Sequence, residues 1–161
     1  MQRVASFLRD AGADARIEEF SSATPTAAEA AAAVGCELDQ IVKSLVLVCD
    51  GRPVVALLPG DRRGDLAKLA RAAGTERARI AKADEVAQAT GFEPGAVAPF
   101  PLPHVETVFI ERTLLRHKLV WAGAGSEMHL VGLSPTDLAR LTRAQPLDIV
   151  TDYDSPREKE S

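Results

Sequence analysis

Aromatic residues make up only 4% of this 161-residue chain, so Val, Leu, Ala and Ile must fill its interior. Cysteine is nearly absent. Cys36 and Cys49 form no CxxC pair and have no histidine cluster beside them, which argues against a zinc scaffold or a disulfide framework; both sit in apolar company, as small buried hydrophobes do. No stretch reaches the ~20 apolar residues a bilayer span needs, and charges interrupt the first ten residues, unlike a secretory signal. A soluble, cytoplasmic protein is the expectation. The formal net charge of −4 excludes a wholesale basic surface. The GxSxG elbow, P-loop, HExxH and GxGxxG motifs are missing too. His104, His117 and His129 pair with no Cys or Ser at a recognised spacing. With no side-chain nucleophile beside a base, an enzyme of this sequence would work by positioning, electrostatics and a water.

What is present, with 46% hydrophobic residues, suffices for one domain. Val4, Phe7, Leu8 and Ala11 follow helical spacing up to Gly12. "ARIEEF" reads as a strand. In "TPTAAEAAAAVG", Thr26 and Glu29 have capping-box spacing and Gly35 suits the helix end. "IVKSLVLVCDGRPVVALLPG" is a hairpin about the type I′ turn signal Asp50-Gly51. Helices are expected over "GDLAKLARAAG", with Asp65 as N-cap, over "ADEVAQATG", and over "SPTDLARLTRA", with Ser134 as N-cap. "ARIA", "TVFIER", "KLVWAGAG", "MHLVGL" and "LDIV" read as strands, and "FEPGAVAPFPLP" as an ordered loop. Strands outnumber helices without strict alternation. The expectation is an α+β domain over residues 1–151, a mixed, curved, barrel-like sheet surrounded by helices, with residues 152–161 as a flexible tail.

Lys43 stands out. Strand alternation puts it on the face of Leu45, Leu47 and Cys49, so an ammonium sits at the front of a core strand. It either snorkels to solvent or faces an anion or polarised carbonyl at a pocket rim. In "PGAVAPFPLP", Gly95 would let main chain approach a ligand and Pro99 would stiffen the loop; a plain surface loop is the alternative. His129 follows a glycine-rich turn and would either be structural or hold a hydroxyl or a water. Between residues 62 and 82, seven basic side chains, among them Arg62, Arg63, Lys68 and Arg71, stand against two acidic ones. They are a solvated face or a set of phosphate contacts.

Taken in order, "TAAEAAAAVGCELDQIVKSLVL", "LLPGDRRGDLAKLARAAG", "RIAKADEVAQATGFEPGAVAPF", "VFIERTL", "VWAGAG" and "LSPTDLARLT" resemble the YbaK-like aminoacyl-tRNA deacylases, the superfamily that includes the editing domain of bacterial prolyl-tRNA synthetases. The resemblance covers about residues 24–150. It implies a metal-independent, cofactor-free hydrolase that cleaves the ester of mischarged aminoacyl-tRNA carrying a small residue such as Cys, Ala or Ser, on tRNA(Pro) or a similar tRNA. Lys43 matches the family's essential lysine, Ser44 a position where Thr is common, and Gly95, Ala96, Val97, Ala98 and Pro99 the GxxxP loop of the aminoacyl pocket. His129 resembles a histidine of some branches; the Asp of others has no counterpart between Arg112 and Asp137. Lys43, Gly95 and His129 are thus the expected catalytic positions and Ser44 with Ala96–Pro99 the substrate contacts. Arg62, Arg63, Lys68 and Arg71 are candidate tRNA contacts. The implied partners are the tRNA acceptor end and a synthetase, with no DNA. The alternative is an inactive tRNA-end or synthetase-binding module of the same fold.

Overall fold

The computed structural model describes residues 1–24 and 26–152. Eight strands form one mixed sheet: β1 (Arg16–Glu19), β2 (Ile41–Cys49), β3 (Arg52–Pro59), β4 (Ala78–Ile80), β5 (Thr107–Glu111), β6 (Val120–Gly123), β7 (His129–Leu133) and β8 (Gln145–Leu147). Among the described residues five α-helices accompany them: α1 (Gln2–Ala11), α2 (Ala27–Val34), α3 (Leu66–Ala73), α4 (Ala83–Thr90) and α5 (Pro135–Thr142). The strand order is β1-β7-β6-β2-β3-β5-β8, with β4 added to β2. The β2–β6, β3–β5 and β5–β8 pairs are parallel and the others antiparallel. This is the α+β class with a mixed sheet that the irregular order of elements implies.

Local chemistry fixes the elements. Asp50 and Gly51 have φ of 52° and 75°, both left-handed, so the turn twists with its strands and sets the Cys49–Arg52 register. Thr26 caps α2 by accepting from the Glu29 amide at 3.1 Å and donating to the Glu29 carboxylate at 2.8 Å. Asp65 and Ser134 cap α3 and α5. The sheet buries both faces of β2 and β3. Val42, Val46, Val55 and Leu57 enter a core shared with α1, α5 and the loop after α4. Leu47, Cys49, Ala56 and Leu58 enter a second core with Leu69 of α3. A third cluster sets α2 against Ile41, Trp121 and Leu130. Burial raises the Cys49 thiol pKa.

The final strand corrects one expectation. "LDIV" overlaps it only at Leu147, because β8 runs Gln145–Leu147. Pro146 sits there without an N–H, which an edge strand tolerates. Ile149 and Val150 leave the sheet edge for other partners: Val150 bridges to Gly64 and the Ile149 amide donates to the Glu111 carboxylate at 3.1 Å. The expected tail lies, beyond Asp152, outside the described residues. Among the described residues no helix is long and apolar enough to cross a membrane.

Candidate functional site

Strand β2 changes neighbours midway. On one edge β3 pairs with it from Val42 to Cys49. On the other, β6 pairs with Ile41 and Val42, β4 pairs with Leu47–Cys49, and the Ala81 amide reaches the Val46 carbonyl at 2.9 Å. Lys43–Leu45 therefore face a fork between β6 and β4. The GAVAP loop enters that fork. Its far end is anchored by Ala98 and Phe100, both buried, with the Phe100 ring stacked on Phe7 at 5.2 Å. Its near end turns at Gly95, whose φ of +88° suits glycine. The Ala96 amide closes that turn on the Glu93 carbonyl at 2.9 Å. Gly123 of β6 lies so near the loop that a Cβ on it would stand 3.1 Å from the Val97 carbonyl oxygen.

The result is a pocket of about 200 Å³. Ile41, Val42, Lys43 and Ser44 of β2 line one wall, and Gly95 and Val97 of the loop another. Gly123 and Leu130 contribute from the β6–β7 hairpin, and Thr24, Thr26, Ala27 and Ala30 from α2 and its approach. Thr24 is tied to the same hairpin, its amide donating to the Glu127 carbonyl at 2.7 Å. The lining is mostly small and apolar. The half-buried Lys43 ammonium donates to the Arg62 carbonyl at 2.8 Å. Burial lowers its pKa below the ordinary lysine value, nearby Asp61 opposes this and Arg63 adds to it. An ammonium has three donors, so this hydrogen bond occupies one of them.

The structure brings together Lys43, Ser44, Gly95 and Val97 and separates the other expected site residues. Ala96 is half-buried, with its amide spent in the turn. Ala98 belongs to the core. Pro99 lines a different groove, behind the loop, with Phe7 and Phe100. His129 does not line the pocket. Its β7 neighbour Leu130 does, and alternation places the two on opposite faces. The His129 ring meets Ser126 Oγ through Nδ1 at 2.8 Å, and its Nε2 lies 3.8 Å from the Glu19 carboxylate. Ser126 Oγ also accepts from the Met128 amide at 2.9 Å, so the pair braces the β6–β7 turn. Of the basic residues, Arg63 and Arg71 are exposed. The Arg62 guanidinium donates to the Thr151 carbonyl. The Lys68 ammonium sits between Asp148 and Asp152, 3.1 Å from each carboxylate.

Sequence reasoning missed Thr24, Ala27, Ala30, Gly123 and Leu130 as pocket walls and read Thr26 only as a cap. The small residues on α2 at 27 and 30, one turn apart, were the available signal. Among the described residues no group of three or more His, Cys, Asp or Glu is placed to hold a metal ion.

A family model described as the aminoacyl-tRNA editing domain matches residues 21–141. A proline–tRNA ligase of Maridesulfovibrio salexigens is 32% identical over 142 residues, which are 86% of this chain and 24% of the ligase. The chain thus spans about a quarter of that enzyme. A candidate Cys-tRNA(Pro)/Cys-tRNA(Cys) deacylase of Enterococcus faecalis, EbsC, is 28% identical over 127 residues, covering 78% of this chain and 77% of that one. Among solved structures, a candidate trans-editing enzyme for prolyl tRNA synthetase superposes with a TM-score of 0.88 at 36% identity, over 94% of this chain and 96% of that one.

Proposed function

The chain belongs to the aminoacyl-tRNA editing domain family, and from that premise we propose that it hydrolyses the ester of tRNA mischarged with a small amino acid. Cys, Ala and Ser are the candidate residues. Tasks named for relatives, a Cys-tRNA(Pro)/Cys-tRNA(Cys) deacylase and a trans-editing enzyme for prolyl tRNA synthetase, make tRNA(Pro) the leading substrate and a synthetase the candidate protein partner. One observation carries the reading: Lys43 and Gly95 border the same pocket of about 200 Å³. That is below the ~300–1,000 Å³ of drug-sized ligand sites and suits a single small side chain.

In this reading the aminoacyl side chain enters among Ala27, Ala30, Ile41 and Leu130, and larger residues are refused for want of space. The ester carbonyl lies between Lys43 and the loop. Water attacks the carbonyl carbon, the bond to the ribose oxygen breaks, and the tRNA leaves with a free 3′-terminal hydroxyl. The neighbouring ribose hydroxyl orients the water, as the family resemblance implies. Negative charge developing on the carbonyl oxygen meets main-chain donors near Gly95. The Ala96 amide is spent on Glu93, so the amides of the pocket-lining Gly95 and Val97 are the candidates for this role. Lys43 fixes the acceptor end with the donors that Arg62 leaves it. His129 enters this scheme as a brace of the β6–β7 turn, and Arg63 and Arg71 as the exposed candidates for phosphate contact.

The test is a single-turnover hydrolysis panel with Ala-, Cys-, Ser- and Pro-charged tRNA, run on the wild type and Lys43→Ala. The wild type is expected to clear at least one small aminoacyl group and spare the largest. Lys43→Ala is expected to stay folded and lose on the order of 10²-fold, the scale of a misplaced reacting group. Binding of all four without hydrolysis would overturn the enzyme reading in favour of an inactive tRNA-end module. Near-normal turnover by Lys43→Ala would remove the lysine from the mechanism.

A further inference from the structure

Five residues after β8 make a set of contacts that the scheme above does not use, and those of Ile149, Val150 and Thr151 reach the loop that faces Lys43. The Asp65 amide donates to the Ile149 carbonyl at 2.9 Å and the Thr151 amide to the Arg63 carbonyl at 2.9 Å. Val150 bridges to Gly64, and the Thr151 carbonyl accepts from the Arg62 guanidinium. Lys68, on the first turn of α3, closes the arrangement from the other side. Its ammonium donates to the Val150 carbonyl at 2.8 Å and to Asp148 and Asp152. At its start the segment is pinned by the buried Glu111 carboxylate, which accepts from the Ile149 amide. The loop so gripped, Arg62–Asp65, is the one whose Arg62 carbonyl takes the Lys43 ammonium.

We propose that Asp148–Asp152 is a strap that positions Lys43, with Lys68 as its clasp and the Arg62 main chain as its point of action. The proposal rests on the reading of Lys43 given above. It makes Lys68 a positioning residue and withdraws it from the set of tRNA phosphate contacts. An ammonium already shared by two carboxylates and a carbonyl would have to break those bonds to meet a phosphate. Partial burial works against the charge of Lys68, but the hydrogen bonds to Asp148 and Asp152 more than offset it, so its pKa lies above the ordinary lysine value. The charges acting on Lys43 are Asp61 and Arg63, after the main effect of burial. The route from Lys68 to Lys43 runs through the loop, because the strap holds Arg63 and Asp65 while the Arg62 carbonyl takes the Lys43 ammonium.

The experiment uses the full chain with isotope-labelled lysine, as wild type, Lys68→Met and the conservative Lys68→Arg. Two readouts are taken: the titration of the Lys43 ε-group by NMR, and the split of kcat and KM in tRNA deacylation. In Lys68→Met the strap loosens, water reaches Lys43, and its titration is expected to move up toward the ordinary lysine value. Here kcat is expected to fall about ten-fold with KM changed by less than about two-fold, a misplacement effect rather than lost binding. Lys68→Arg should restore most of both.

A phosphate-contact role predicts the reverse: higher KM, a salt dependence shallower by about one ion, unchanged kcat and an unmoved Lys43 titration. That result overturns the proposal. If Lys68→Met does not fold, Asp148→Asn combined with Asp152→Asn unfastens the same clasp from the carboxylate side and must give the same shift. If the wild type hydrolyses no charged tRNA, the functional reading falls, while the Lys43 titration still decides whether the strap controls that group.

Discussion

Replacing Glu111 with Ala should cost about 4 kcal/mol of stability. Glu111 closes β5 with its side chain 1% exposed. Its carboxylate accepts from the Thr113 amide at 2.9 Å, the Thr113 hydroxyl at 2.7 Å and the Ile149 amide at 3.1 Å. Hydrogen bonds to a carboxylate contribute roughly 1.5–3 kcal/mol each, and a buried donor left unpaired costs roughly 1–3 kcal/mol. Thr113 is only half-buried and can turn to water, so its two bonds are partly recovered. Ile149 is fully buried and its amide cannot. Removing the carboxylate also removes its own burial cost, which trims the sum to the figure above.

For a domain of this size that corresponds to a melting temperature lower by about 8–16 °C. Glu111→Gln keeps one acceptor oxygen but turns an NH₂ toward the donors, and should lose about half as much. Urea denaturation followed by circular dichroism measures both, with the m-value checking that the unfolded state is unchanged. A loss below about 1 kcal/mol in Glu111→Ala, with unchanged m, would refute the assignment of Glu111 as the anchor of the Ile149 segment.

Gly123→Ala sets a methyl 3.1 Å from the Val97 carbonyl and narrows the pocket. It should lower kcat/KM for the bulkiest accepted aminoacyl group about ten-fold relative to the smallest, as roughly 1–3 kcal/mol per methylene implies, and unchanged ratios across the tRNA panel would contradict this. The Glu85 carboxyl, held down by the Arg79 guanidinium and then by the Lys82 amide, should titrate at about 2 against the usual 4.5, as read by NMR. Because its pKa is depressed by folding, the stabilisation is complete above about pH 4.5 and fades as pH falls toward 2; Glu85→Gln should flatten that stretch of the stability curve. Ser134→Ala, which removes the acceptor of the Asp137 amide at the start of α5, should cost about 1 kcal/mol in denaturation and leave hydrolysis unchanged.

Features written over a few residues were legible in the sequence. Asp50-Gly51 specifies its turn locally, and Thr26, Asp65 and Ser134 each cap the helix that follows. Lys43 was legible as an ammonium at the front of an apolar strand, and Gly95 as a place where main chain could come close. Partners brought from far along the chain were not. Lys68 reads as a surface cation within a basic run, and only folding brings up Asp148, eighty positions later. His129, after a glycine-rich turn, reads as either structural or a holder of a hydroxyl or a water, and only the folded turn shows Ser126 as its hydrogen-bonded neighbour. The shift of the last strand has the same origin. Ile149 has strand propensity, but the buried Glu111 carboxylate competes for its amide and wins. The fork in β2 depends on two different strands sharing one edge, and no pattern within β2 itself records that.

The fork also divides the labour of change. Lys43 is bolted to the central hairpin, whose strands are flanked by core on either side, so its location tolerates little drift. The walls opposite it come from a loop, a short helix and a hairpin end, each reachable by substitution without disturbing that frame. A chain built this way can be retuned to admit a different cargo while its charged fixture stays where it is.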